Sequence, residues 1–162
     1  LELTGTRPGL ARLQAGAADL GLFVLPPDEV PPGDPLLARV IAVQAVVVIV
    51  PESVPLTQLT LPQLRGLFAA GAAQNISTWG DLGLTGEWRS RAIVLLAPDP
   101  GAALTLPLAR RLVFPGVELK PTVALVSALD ALPARVLAAG GGIALSPAVP
   151  APGSGLRALA LA

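Results

Sequence analysis

Runs of apolar residues alternate along the chain with segments whose apolar residues recur every three or four positions. The runs are predicted strands, and they cover residues 20–24, 40–50, 92–97, 142–146 and 156–161. The longest run, 40–50, is rich in Val and Ile, whose branched side chains suit a pleated sheet. Because helical patterns lie between the runs, the sequence predicts an α/β fold.

The clearest helix signal begins at Thr60. Thr60 and Gln63 have the spacing of a capping box, in which each side chain bonds the main-chain N–H of the other residue. Leu64, Leu67 and Phe68 follow at helical spacing and form one apolar face. A helix is therefore predicted from Thr60 up to a glycine stop near residue 71.

Three further helices are predicted. One has Pro8 in its first turn and ends at Gly16. Another begins near Asp99, and Pro107 is expected to kink or split it because proline lacks an N–H. The last covers residues 131–139 and ends at a run of three glycines.

Composition narrows the classes of function. The 162 residues carry 11 basic and 11 acidic side chains, so the formal net charge is zero and gives no long-range attraction for nucleic acid. The chain contains neither His nor Cys, which excludes the usual zinc sites and histidine-assisted nucleophiles. We therefore predict a non-enzymatic protein without catalytic residues, metal or cofactor. An enzyme is the weakest hypothesis, and a cleft with a carboxylate pair of strongly shifted pKa would revive it. No apolar run reaches the roughly 18 residues that a membrane span requires.

Two strand–loop–helix joints are candidate ligand sites. They lie at residues 5–9 and 99–102, each before a predicted helix. Ligands of α/β folds bind beyond the carboxyl ends of strands, where helix N-termini favour anions.

The order of these segments resembles the PstS-like family of phosphate-binding proteins. Residues 5–26, "GTRPGLARLQAGAADLGLFVLP", resemble the family's glycine-rich turn, helix and following strand. Residues 40–83 match more closely: a hydrophobic strand leads to a proline turn, the "LTLPQL" helix start and the "WGDLG" motif. Residues 140–146, "GGGIALS", resemble a later strand, so the similarity covers nearly the whole chain.

The resemblance implies a two-lobed periplasmic-binding-protein fold of type II. Lobe one would comprise residues 1–45 plus 145–162, and lobe two residues 46–144. The family's opening strand and helix have no counterpart before residue 5, so lobe one is expected to be incomplete. The implied function is binding of a small solute outside the cytoplasm, in the periplasm or extracellular space, and its delivery to the membrane subunits of an ABC transporter.

The resemblance also shows how this sequence departs from the family. The family's ligand Asp falls on or near Val24, its Arg on Ala97 or Pro98, and its Ser-Gly-Thr within residues 101–104. A dehydrated oxyanion needs donors for nearly all its oxygens, so phosphate would be bound less well than in the family. The remaining candidate ligand residues, for phosphate, another oxyanion or a different small ligand, are Thr6, Arg7, Gly9, Asp99, Gly101, Ala102 and Thr105.

Simpler interpretations accompany these candidates. Arg7 can be a surface side chain, Thr6 a helix cap, and Asp99 an N-cap before proline. The leading hypothesis is a solute-binding protein. The alternative is a ligand-less module that serves interaction or sensing and associates with itself or a partner. Trp79, in a polar turn, is expected to plug a small core and to donate its indole N–H to a carbonyl.

Overall fold

The computed structural model describes residues 6–23, 25 and 29–162, apart from the side chains of Thr6 and Arg7. The chain divides into two compact units, Leu1–Val43 and Gln44–Ala162. In the first unit the described residues contain helix α1, Thr6–Gln14, which has Pro8 in its first turn and is followed by Gly16 at φ 68°. This helix confirms the sequence prediction for the segment.

The second unit contains the sheet and three α-helices. Its elements in chain order are β1 (Val47–Pro51), β2 (Gln58–Leu59), α2 (Leu61–Phe68), β3 (Val94–Pro98), α3 (Thr105–Leu112), β4 (Ala124–Val126), α4 (Leu132–Ala138), β5 (Gly142–Ser146), β6 (Leu156–Ala158) and β7 (Ala160–Leu161). Short 3-10 helices cover Trp79–Leu82, Gly86–Trp88 and Leu129–Ala131. No helix in the described part of the chain is long and apolar enough to cross a membrane.

Five strands form the main sheet, in the order β4-β3-β5-β1-β6. Strands β4, β3 and β5 run parallel, whereas β1 pairs antiparallel with both β5 and β6. Strands β2 and β7 form a separate parallel pair. Residues 142–161 thus pair with residues 47–59 inside one unit. The assignment of residues 145–162 to lobe one stays a prediction.

The two faces of the sheet bury two apolar clusters. Val48 and Val50 of β1 belong to the larger cluster, whereas Ile49 between them belongs to the smaller one. Successive side chains of a strand point to opposite faces, so the clusters lie on opposite sides of the sheet. Helices α2 and α3 contribute to the larger cluster and α4 to the smaller.

Helix α2 confirms its predicted start in atomic detail. The Gln63 N–H donates to Thr60 Oγ1 at 3.3 Å, and the Thr60 N–H donates to Gln63 Oε1 at 2.9 Å. Near the C-terminal end of α2, Lys120 Nζ donates to the carbonyl oxygen of Gly66 at 2.5 Å. It also donates to the carbonyl oxygen of Ile76, in the following loop, at 2.9 Å. Burial lowers the pKa of Lys120, and the nearby Asp81 carboxylate acts in the opposite direction.

Trp79 is fully buried in the larger cluster, as predicted. Its ring meets Trp88 edge to face at a centroid distance of 5.9 Å, and the Arg91 guanidinium lies 4.6 Å from the Trp88 ring. The prediction for its indole N–H was wrong, since Trp79 Nε1 has no hydrogen-bond partner among the described residues. Gly141 makes room for this nitrogen, because a Cβ there would lie 3.0 Å from it.

Four predicted elements differ from the structure. The strand predicted over residues 156–161 is divided into β6 and β7, which belong to two separate sheets. Residues 20–23 are in no strand, and Val24 lies outside the described residues. The long strand begins at Val47, so its first seven predicted residues, 40–46, are unpaired. Helix α3 begins at Thr105, six residues later than Asp99. Pro107 therefore falls in its first turn, where a missing N–H costs nothing and produces no kink.

Candidate functional site

The carboxyl ends of three parallel strands meet at one edge of the main sheet. Strands β3, β4 and β5 end at Pro98, Val126 and Ser146. The Asp99 N–H donates to the Val126 carbonyl at 3.0 Å and joins two of these ends. This edge is where α/β proteins bind ligands, and it carries the candidates Asp99, Gly101 and Ala102.

The turn between β3 and α3 is held by Asp99. Its Oδ1 atom accepts the Gly101 N–H at 2.8 Å. Its carbonyl accepts the N–H groups of Ala102 at 2.9 Å and Ala103 at 3.1 Å. Asp99 therefore closes the turn rather than capping α3, and three main-chain donors of the turn already have acceptors inside it.

Helix α3 itself starts without a side-chain cap. Its N-cap residue is Leu104, which has no oxygen or nitrogen in its side chain. Thr105 is fully buried, and its Oγ1 atom has no hydrogen-bond partner among the described residues. The first-turn N–H groups of α3 therefore have no side-chain acceptor, and the Thr105 hydroxyl is enclosed by protein rather than open to a ligand.

The chemistry of this edge is nearly neutral. Between Ala92 and Ala109 the sequence contains no basic residue, and Asp99 is its only acidic one. Ala97, which with Pro98 is one of the two positions where the family's arginine was expected, is fully buried in the larger cluster. The walls of the edge are therefore apolar, with polar contacts confined to main-chain groups and short side chains.

The other predicted ligand residues belong to the first unit. Thr6, Arg7 and Gly9 are in the first turns of α1, as the sequence indicated. The side chains of Thr6 and Arg7 lie outside the described part of the chain. Gly9 is half-buried. Since each unit is described by itself, the joining of these residues with Asp99, Gly101, Ala102 and Thr105 stays a prediction.

Sequence reasoning missed one polar side chain at this edge. Ser127 follows β4 directly and is exposed. Strand β4 is only three residues long, too short to show an apolar pattern. The neighbouring Ser146 is less available, because its Oγ atom donates to the Ala148 carbonyl at 2.7 Å and accepts the Ala148 N–H at 3.2 Å.

Two open depressions lie elsewhere, around α2 and the loop that follows it. They have volumes of about 490 and 390 Å³, and both are lined by Asn75. Their charged groups already bind the protein: Asp81 Oδ2 accepts the N–H groups of Ser77 and Thr78, which lowers the pKa of Asp81, and Lys120 binds carbonyls. These depressions are concave but offer a ligand no charged group that is free of internal hydrogen bonds. We therefore place the candidate site at the strand ends.

Comparison with known proteins supports the resemblance. The chain is 39% identical over 59 residues to the phosphate-binding protein PstS of two Pseudomonas aeruginosa strains, a match that covers 34% of this chain and 18% of the relative. No family model matches the sequence. The chain therefore spans less than a fifth of the length of these curated relatives.

Solved structures give the fold. An ABC-type phosphate transport receptor from Vibrio cholerae aligns with a TM-score of 0.55 and 16% identity, over 73% of this chain and 46% of the receptor. A phosphate ABC transporter substrate-binding protein from Clostridium perfringens, with bound phosphate, aligns with a TM-score of 0.59 and 16% identity, over 73% of this chain and 45% of that one. A protein from Planctomyces limnophilus described as a possible phosphate binding protein aligns with a TM-score of 0.57 and 14% identity, over 74% of this chain and 42% of that one.

These findings confirm the predicted fold class and the PstS-like resemblance. The chain has an α/β fold of the periplasmic-binding-protein type. It covers less than half the length of each of these solved neighbours. The relatives and neighbours named above are described by their names as phosphate-binding or phosphate-transport proteins.

Proposed function

We propose that this chain is part of an extracytoplasmic solute-binding protein of the phosphate-type ABC transporter class, without enzymatic activity. The observation that carries the proposal is the uncapped start of α3 beyond the carboxyl end of β3, in a fold shared with phosphate-binding proteins. Its solute is a small molecule, with phosphate and other oxyanions as the first candidates. Its partners are the membrane subunits of such a transporter.

The proposed contacts follow from the geometry. First-turn N–H groups of a helix carry partial positive charge and attract anions. The turn Asp99–Leu104 places Gly101 and Ala102 beside this helix start, whereas the Thr105 hydroxyl is buried and would reach a ligand only after the helix start rearranges. Residues Thr6, Arg7 and Gly9 of α1 form a second proposed set, in which Arg7 would give an oxyanion two parallel hydrogen bonds.

Calorimetric titration tests this proposal. The protein is titrated with phosphate and sulfate, and with glycerol as an uncharged comparison. We expect heat and a raised melting temperature with at least one of the anions, because a ligand that binds only the folded state stabilises it. No heat and no thermal shift with any of the three would contradict the proposal.

A matched pair of variants locates the site. Ala102→Asp adds a negative charge beside the start of α3, where it would repel an anion. We expect the dissociation constant to rise at least tenfold, which is a loss of about 1.4 kcal/mol in binding free energy. Ala73→Asp adds the same charge at an exposed position after α2 and should leave binding unchanged. Equal losses in both variants would place the ligand elsewhere.

One observation favours the alternative of a ligand-less interaction module. The N–H groups of Gly101, Ala102 and Ala103 already have acceptors in Asp99. A turn that satisfies its own donors needs no ligand to hold its shape. Absence of any heat or thermal shift, in a protein that is folded by circular dichroism, would support this module.

A further inference from the structure

The loop that follows α2 separates the two open depressions. We define the strap as residues 74–78, "QNIST". Gln74, Asn75 and Ile76 line the depression of about 490 Å³, and Asn75 also lines the depression of about 390 Å³. The position of the strap therefore decides whether this part of the surface has two separate depressions or one continuous groove.

The strap packs closely on α2. The Ile76 N–H donates to the Gly66 carbonyl at 3.1 Å, and the Ile76 side chain is buried in the larger cluster. Gly66 permits this approach, because a Cβ there would lie 2.7 Å from the Gln74 carbonyl oxygen. Lys120 Nζ joins helix and strap, since it donates to the carbonyls of both Gly66 and Ile76. None of these contacts involves an acidic group.

One carboxylate holds the C-terminal end of the strap. Asp81 Oδ2 accepts the N–H groups of Ser77 at 2.9 Å and Thr78 at 2.8 Å. The bonds that an ionised acceptor makes are roughly twice as strong as those of a neutral one. Asp81 is exposed, so a proton can reach it while the protein stays folded. The Ser77 carbonyl accepts the Ile93 N–H at 2.9 Å, which leaves a hinge at this end.

We propose that the strap opens in acid: protonation of Asp81 releases the N–H groups of Ser77 and Thr78, and the strap lifts from α2 about the hinge and joins the two depressions. The same two hydrogen bonds lower the pKa of Asp81. A carboxyl whose pKa is lowered in the closed state favours that state above its ordinary pKa of about 3.9. This advantage is lost as the pH falls through the lowered pKa.

The other charged group beside the strap does not reverse this dependence. Apart from Asp81 and Lys120, the residues that line the two depressions are neutral. Glu118, two positions before Lys120, lies 3.8 Å from Arg110 instead. Burial lowers the pKa of Lys120 and outweighs the opposite effect of Asp81. The closed strap therefore does not resist loss of the lysine proton, and it should stay closed in alkaline solution.

Amide hydrogen exchange followed by NMR tests the proposal. The reporter is the Ile76 N–H, because its acceptor, the Gly66 carbonyl, does not titrate. We expect its protection factor to fall below about pH 4, by about tenfold for each unit by which the closed strap lowers the pKa of Asp81. The amides of β5, which is buried along its whole length, should keep their protection.

Variants at Asp81 assign the titrating group. Asp81→Ala removes the acceptor, so the Ile76 N–H should exchange fast at every pH. Asp81→Asn retains an uncharged acceptor and should give intermediate protection that does not change with pH. Glu87→Ala, at another exposed acidic residue, is the control and should titrate like the native chain.

A variant at Lys120 tests the other support of the strap. Lys120→Met removes the donor shared by Gly66 and Ile76, so exchange at Ile76 should be faster at neutral pH. Arg135→Met removes an exposed cation from α4 and should leave this exchange unchanged.

A thiol at Ile76 measures opening without exchange. The native sequence contains no cysteine, so Ile76→Cys introduces one thiol at a position that is 4% exposed. At neutral pH it should react with a disulfide reagent several times faster when combined with Asp81→Ala than with Glu87→Ala. Equal rates would contradict the opening.

Several results would overturn the proposal. Protection of Ile76 may not stay constant into acid, and it may not be lost together with that of β5, which would indicate general unfolding. Faster exchange of Ser77 and Thr78 alone would show that their bonds break without lifting the strap. A dependence on pH that persists in Asp81→Ala would assign it to another group. Circular dichroism confirms that each variant is folded, and no solute is added, so solute binding is tested independently.

Discussion

Helices α2 and α3 make an instructive pair. Each has eight residues, and each buries one face in the larger apolar cluster. At α2 the side chains of Thr60 and Gln63 form a capping box, in which each accepts the main-chain N–H of the other residue. At α3 the N-cap is Leu104 and no side chain bonds the first turn. The two helices thus pack alike and differ in whether side chains satisfy their first-turn N–H groups.

The largest expected effect comes from the core that both helices share. Trp79 is fully buried in the larger cluster, together with Leu67 of α2 and Leu106 of α3. Trp79→Ala should lower the free energy of unfolding by roughly 3–5 kcal/mol, as truncation of buried aromatic side chains does.

Urea unfolding followed by circular dichroism measures this change. Val149→Ala, at an exposed position, is the matched control and should cost far less. An unchanged midpoint for Trp79→Ala would show that the tryptophan is not the support of this core.

A smaller loss is expected at the capped helix. Thr60→Ala removes the hydroxyl that accepts the Gln63 N–H and should destabilise the protein by about 1 kcal/mol. Thermal unfolding at constant pH gives the value. Thr60→Ser retains the acceptor and should recover most of the loss. If Thr60→Ala and Thr60→Ser unfold alike, the capping box contributes nothing.

The smallest effect is expected at α3 and has the opposite sign. Thr105→Val removes a buried hydroxyl without a partner and should raise the free energy of unfolding by about 1 kcal/mol or less. Thr122→Val, at an exposed threonine, is the control. A clear destabilisation by Thr105→Val would mean that the hydroxyl has an internal partner, and the contrast between the two helices would disappear.

The sequence predicted those parts of the fold that local interactions determine. The start of α2 depends on residues three positions apart, and the start of α1 on Pro8 in a first turn. Strand β5 was predicted with its observed ends, because both faces of the sheet bury it and leave a short apolar run.

The predictions were wrong where contacts between residues distant in the sequence determine the local structure. The apolar run 40–50 has strand propensity throughout, yet a strand exists only where β5 and β6 provide hydrogen bonds, from Val47 onwards. Asp99 before proline is a common helix start, but its side chain bonds Gly101 and forms a separate turn. The indole N–H of Trp79 has no acceptor because packing, rather than polar contacts, determines the ring position.

The sequence predicted where three of the candidate residues lie, while their role in a site stays a prediction. Asp99, Gly101 and Ala102 do lie at the carboxyl edge of β3, since that position follows from the order of strand, turn and helix. The use of three turn N–H groups by Asp99 depends on the turn's conformation and has no sequence signature. Ser127 was missed for the same kind of reason, because a three-residue strand carries too little pattern.

The contact between the two indole rings has an optical consequence. Trp79 and Trp88 are the only tryptophans of the chain, and both belong to the unit Gln44–Ala162. Their emission will therefore report loosening of this unit, which carries both rings.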